Sequence, residues 1–160
     1  MRGIELVQQG HIAVALAPVD VTGGKTSRWL ALKNYEHITF IYSQGVAAAP
    51  VTSIQVKVAT SVAGAGAVAV PFRVYKAETT TVDLASVKTA IAAAGFAPAN
   101  ASDIFEIIEV DAAEVYAVAG EGFPYIGVVI TNGANSVIGT IIAILSGARF
   151  GGDQSPSVNV

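Results

Sequence analysis

Apolar and polar residues alternate most regularly at 53–59, where Ile54, Val56 and Val58 face one way and Ser53, Gln55 and Lys57 the other. A period of two puts these sets on opposite faces of a half-buried β-strand. Residues 37–43 repeat the pattern, with Ile38, Phe40 and Tyr42 against His37, Thr39 and Ser43, although Ile41 interrupts the polar side. Further strands are predicted at 11–16, 27–32, 69–76, 104–110, 125–131 and 137–145. Turn chemistry separates them. Pro18, Asp20, Gly23 and Gly24 link the first two, residues 45–50 form a loop, and the glycine-containing segment 62–67 predicts a hairpin between 53–59 and 69–76. Asn132-Gly133-Ala134-Asn135 predicts a second hairpin, between the last two strands. Pro71 has no N–H to give a ladder, so the start of its strand belongs at an edge or a bulge.

One segment reads differently. Leu84, Val87, Ile91 and Ala94 fall near helical spacing, Asp83 can cap the start and Gly95 can end it, so one short helix is predicted at about 82–94. Short strands with turns between them otherwise predict an all-β fold, an antiparallel β-sandwich of jelly-roll-like form. Residues 1–150 make one domain, and the aperiodic 151–160 reads as an extended or disordered C-terminal arm.

The strands at 125–131 and 137–145 carry apolar residues on both faces: Ile126, Val128 and Ile130 against Val129, and Ile138, Ile142 and Ile144 against Ile141 and Leu145. A two-layer sandwich leaves one face of each sheet to solvent. The outer face therefore needs cover, from an Ala-rich segment of the same chain or from a neighbouring subunit. Val129, Ile141, Leu145, Arg149 and Phe150 are the residues expected at such an interface.

Composition points the same way. Hydrophobic residues make up 52% of the 160 and charged ones only 13%, about half the usual charged share, which is thin cover for a monomer. Nine scattered Lys and Arg residues in a chain of net charge −3 form no basic stripe, so nucleic acid is not an expected partner. Cysteine is absent, excluding disulfides and thiolate chemistry. Glu5, Gln8 and Gln9 interrupt the stretch where an export signal would be unbroken, so none is read there. The longest apolar run, 137–145, is too short for a membrane-spanning helix, and no membrane association is expected.

Candidate chemistry is sparse. Gly23-Gly24-Lys25-Thr26 resembles the end of a phosphate-binding loop, but Val19 stands where another glycine is needed and a strand follows instead of a helix. His11 and His37 lie in separate strands with no sequence-local carboxylate or thiol suggesting a metal site, so none is read. In the acidic stretch Asp103, Glu106, Glu109, Asp111 and Glu114, Glu106 shares a face with Ile104 and Ile108 while Glu109 lies opposite. Diverging carboxylates suit a solvated edge or salt bridges to a neighbour better than calcium or a catalytic pair. No catalytic residue and no cofactor is expected. Asp83, Asp103 and Glu106 are where an enzyme reading would place its chemistry. Trp29, Tyr35, Tyr116 and Tyr125 would support a carbohydrate- or host-binding module if they shared an exposed face.

Several segments taken together carry a resemblance: Leu16-Ala17-Pro18-Val19-Asp20, Leu30-Ala31-Leu32-Lys33-Asn34-Tyr35 followed by Thr39-Phe40, and Ala59-Thr60-Ser61-Val62-Ala63-Gly64-Ala65-Gly66. Glu109-Val110-Asp111-Ala112-Ala113-Glu114 and Ile144-Leu145-Ser146-Gly147-Ala148-Arg149-Phe150 follow. In that order and spacing they resemble small virion structural proteins of tailed bacteriophages. The resemblance implies a head decoration or cement protein: a homotrimer that clamps adjacent major capsid subunits through loops or terminal arms, assembled in the host cytoplasm and residing in the virion. Residues 82–101 depart most from that pattern. A tail, neck or tube component, forming rings, is the alternative within the same class.

Overall fold

The computed structural model describes residues 6, 10–77 and 87–148. Its strands are β1 (Gly10–Asp20), β2 (Lys25–Thr26), β3 (Leu30–Ala31), β4 (Tyr35–Gln44), β5 (Ser53–Ala59), β6 (Val68–Val70), β7 (Phe72–Ala77), β8 (Thr89–Ile91), β9 (Ile104–Asp111), β10 (Tyr125–Thr131) and β11 (Ile138–Ala148); one helix, α1 (Ala112–Ala119), follows β9. They form two antiparallel sheets. The six-stranded sheet runs β1-β11-β4-β9-β7-β8 and the second runs β2-β10-β5-β6, with β3 also on β10. The first strand pairs with the last, and the next two with the last but one. This is the wrapping of a jelly-roll-like sandwich, the all-β class expected from the strand pattern.

The alternating strands bury the faces their patterns indicate. Ile38, Phe40 and Tyr42 of β4 meet Ile54, Val56 and Val58 of β5 and Ile126, Val128 and Ile130 of β10 in one core, all at most 1% exposed. Pro71 interrupts the predicted 69–76 strand more sharply than an edge position would. The chain leaves β6 in one sheet, where Val70 opposes Val56, and resumes as β7 in the other, where Val74 opposes Ile108. The hairpin between β5 and β6 forms as expected, closed by Thr60 N–H to Ala65 O (3.0 Å) and Gly64 N–H to Ser61 O (2.9 Å).

Three expectations need correction. The segment 132–135 does not close a hairpin, because β10 and β11 belong to different sheets and the connection crosses between them. Asn132 is buried there and bonds Val21 O (3.3 Å) and Asn135 O (2.9 Å) through Nδ2. The helix predicted at about 82–94 is not formed where the chain is described: Thr89–Ile91 is β8, hydrogen-bonded to β7, while 82–86 lies outside the described residues. An Ala-rich amphipathic spacing cannot be told from an edge strand when a neighbouring strand offers backbone partners. The helix stands instead at 112–119, with Ala112 and Val115 turned into the core and Gly120 (φ +86) after its end. Glu106, expected at a solvated edge, is fully buried on the inner face of β9, opposite Tyr42 and Lys76. Burial and the nearby Glu106 charge push the Tyr42 hydroxyl well above its usual range. That hydroxyl donates to Gln44 Oε1 (2.7 Å), whose amide donates to Ala101 O (2.5 Å).

Beyond β8 the chain returns to the second sheet. Ile54 N–H bonds Phe96 O (2.7 Å) and Phe96 N–H bonds Ile54 O (3.1 Å), so Phe96 continues the line of β6. Gly95 makes this approach possible: its φ is +81, and a Cβ there would collide with the Ile54 carbonyl oxygen. Gly95→Ala is expected to destabilise the fold by about 1–3 kcal/mol, read as a lower urea midpoint at unchanged slope.

Candidate functional site on the outer face of the six-stranded sheet

Strand pairing places five side chains in one line across the outer face. Val14 of β1 opposes Ile142 of β11, Ile142 opposes Ile41 of β4, Ile41 opposes Ile107 of β9, and Ile107 opposes Tyr75 of β7. Val14 is 53% exposed and Ile142 38%; the other three are half-buried. Ile12, Phe105 and Ile138 are exposed around this row. Cross-strand neighbours on one face lie about 5 Å apart, so the row is one continuous apolar stripe.

The adjacent row changes character along its length, from Ile12 and Ile144 through Thr39 to Glu109 and Arg73. Beyond it sits an ionic network. His37 Nδ1 lies 2.8 Å from Asp111 Oδ1, Arg73 Nη1 donates to Asp111 Oδ2 (2.7 Å), and Arg73 Nη2 donates to Glu114 Oε1. Glu109 pairs with Lys88 at 3.3 Å. Asp111 immediately precedes α1, yet its carboxylate makes no cap bond to the helix because His37 and Arg73 hold it. The His37 hydrogen bond, then Arg73, keeps the Asp111 carboxyl below the usual carboxylate range against the opposing effect of burial. The network thereby ties α1 to β4, β7 and β9.

His37 and Asp111 are 74 residues apart, so no local window of the sequence pairs them. Thr39 Oγ1 is 3.3 Å from His37 Nε2. With Nδ1–H donated to Asp111, Nε2 accepts the Thr39 hydroxyl proton, a hydroxyl-imidazole-carboxylate series. It lies on a sheet face; one hollow, lined by Pro71, Phe72, Arg73, Ile91, Glu114 and Val118, borders the network through Arg73 and Glu114, and another is lined by Lys33, Tyr116, Glu121 and Pro124.

The residues expected at an interface are placed as follows. Ile141 and Leu145 are 0% exposed and belong to the chain's own core, so the outward side of β11 is the one bearing Ile138, Ile142 and Ile144. Val129 is half-buried on the outer face of β10, opposite Thr26 and Gln55. Arg149 and Phe150 lie outside the described residues, as does the arm at 151–160. The outer face of β10 is covered by the chain itself: a Cβ on Gly127 would stand 3.2 Å from the Trp29 indole, which also packs under Gly64. Segment 27–29 does this, not an Ala-rich one. Such close packing required glycine at 64 and 127, a signal present in the sequence but unreadable without the topology.

Other candidates separate. Asp103 is exposed at a positive φ of 53°, Glu106 is in the core, and Asp83 lies outside the described residues, so no shared site forms between Asp103 and Glu106. Tyr35 is buried at 2% beneath His11, with ring centroids 6.4 Å apart; Trp29, Tyr35, Tyr116 and Tyr125 therefore do not share an exposed face. Gly23 and Gly24 turn the chain into β2, which pairs with β10, so a strand and not a helix follows the loop. Among the described residues there is no group of three metal-ligating side chains, and no helix is long and apolar enough to cross a membrane. Comparison of the chain with protein-family models, curated proteins and solved structures finds no match.

Asp20 is held below the usual range in the same manner as Asp111, by Thr22 Oγ1 (2.6 Å), Thr22 N–H (2.9 Å) and Ser136 Oγ (2.8 Å). A carboxyl depressed in the folded state contributes stability above its unfolded value, near 3.9, and loses it as pH falls towards the folded one. Unfolding midpoints are expected to hold from pH 7 to about 5 and to fall below about 4. Asp111→Asn should flatten that acid limb; urea titrations at pH 7 and pH 3 measure it.

Proposed function

We propose that this protein is a structural subunit that works by assembly, specifically a head decoration or cement protein of a tailed-phage virion that self-associates and bridges major capsid subunits. One observation carries the reading: the apolar row Val14, Ile142, Ile41, Ile107 and Tyr75 on the outer sheet face, exposed at Val14 and Ile142 and half-buried along the rest. Contiguous apolar surface of this kind is costly in water and marks contact with protein. The low charge content and the sequence resemblance support the virion assignment, and jelly-roll sandwiches recur in capsid proteins, a fold-level analogy only.

The chemistry suits contact better than turnover. The ionic network beside the row fixes α1 and presents Glu109, Asp111 and Glu114 together with Arg73 and Lys88, a mixed-charge rim against an apolar centre. Such a rim selects orientation more than it adds affinity. The expected occupants of the face are copies of this chain in a trimer, with the major capsid protein beneath.

Light scattering after size exclusion is expected to give a trimer; a larger ring would move the assignment to the tail or neck. Ile142→Glu, on the surface and outside the core, is expected to weaken association about tenfold or more with an unchanged unfolding midpoint. A monomeric wild-type chain that also fails to sediment with phage heads would contradict the reading.

A further inference from the structure

The sheet edges of this molecule are unequal. The second sheet ends in strands of two or three residues, and the six-stranded sheet ends on one side in β8, also three residues long. Its other edge is β1, eleven residues long. Short edges resist pairing with other chains, as do edges carrying charge; β1 has neither protection over its first half, since no charged residue occurs before Asp20. Bulges between Val14 and Leu16 and between Leu16 and Val19 distort its second half. There Arg28 N–H reaches across to Ala15 O (2.7 Å), so the link between β2 and β3 closes that end. Gly10 to Val14 is the remainder without a register shift, Gly10 itself being buried.

The hydrogen-bonding parity of this remainder follows from two bonds beyond the strand ends. Val21 N–H bonds Val137 O (2.8 Å) and Gly45 N–H bonds Ile138 O (3.0 Å), both continuing the observed registers. Odd-numbered residues of β11 therefore direct their backbone at β1 and even-numbered ones at β4. On β1, His11 and Ala13 spend their N–H and C=O on Leu145 and Ala143. Those of Ile12 and Val14 point out of the sheet, where no described strand meets them.

We infer that β1 pairs antiparallel with β1 of a second copy, about a twofold axis at Ile12. This rests on the self-association proposed above and adds to it the surface, the register and the symmetry. Centred there, Ile12 and its counterpart exchange both N–H···O bonds, and Val14 stands opposite the counterpart of Gly10, a large residue against one without a side chain. Nothing charged is buried. The outer-face stripe ending at Val14 and Ile12 continues into the same stripe of the second copy, which a strand of unrelated sequence would not supply. The contact is isologous, and on a shell of trimers it is the contact available across local twofold axes.

Amide hydrogen exchange separates the possibilities without any substitution. In the associated protein the Ile12 and Val14 amides are expected to exchange at least about tenfold more slowly than after dilution to the dissociated state, while the Ala13 amide, bonded within the chain, is protected in both. Where trimers associate further, Ile12→Pro, which removes only the outward N–H, should return the mass seen by light scattering to that of the trimer; Val14→Lys should do the same by charge repulsion at the edge. If mass falls for Ile142→Glu but not for Ile12→Pro or Val14→Lys, with Ile12 and Val14 amides exchanging freely, self-association stands and the edge pairing is overturned. If the chain is monomeric throughout, both are overturned.

Discussion

Strand β11 lies between β1 and β4 and is apolar on both sides. Its inward residues, Ile141, Ala143 and Leu145, are fully buried against the second sheet, and without them the six-stranded sheet would have no centre. Its outward residues, Ile138, Ile142 and Ile144, inherit their position from that burial, because a strand cannot turn one set inward without turning the other out. Pairing then extends the exposed set sideways through Ile41 and Ile107 on one flank and Val14 on the other. The surface stripe is thus a consequence of register, and any account of the molecule in water has to say what meets it.

The two sheets manage their outer faces by different means. On the second, Trp29 folds down over Gly127 and beneath Gly64, so the chain covers its own β10. On the first, charged side chains gather on one side, where Asp111 holds His37 and Arg73 and thereby anchors α1. Exposed ion pairs of this sort contribute little stability; their arrangement matters more for orienting the helix and for giving the face an apolar side and a charged one. The asymmetry directs assembly towards the β1 side, where the stripe runs out to a long uncharged edge.

Much of the fold was legible because period-two patterns such as 37–43 and 53–59 admit only one buried face. Three things were not. Residues apolar on both sides give no direction, so the pattern alone does not separate the inward Ile141 and Leu145 from the outward Ile138, Ile142 and Ile144. Alanine-rich spacing at 82–94 and at 112–119 carries the same weak helical signal, and only the presence of β7 beside 89–91 and of the core beneath Ala112 and Val115 distinguishes them. Turn residues at 132–135 announce a reversal but not which sheet receives the chain afterwards. The ionic network was out of reach for a simpler reason: His37 and Asp111 meet through pairing of β4 with β9, a long-range register that no local window contains.

The central claim is that the outer face of the six-stranded sheet is covered by protein when this chain does its work. Electron cryomicroscopy of the assembled particle tests it most directly. The account predicts Ile41, Ile107 and Ile142 buried beneath a neighbouring subunit; a particle whose contacts lie elsewhere, with those three side chains facing solvent, would contradict it.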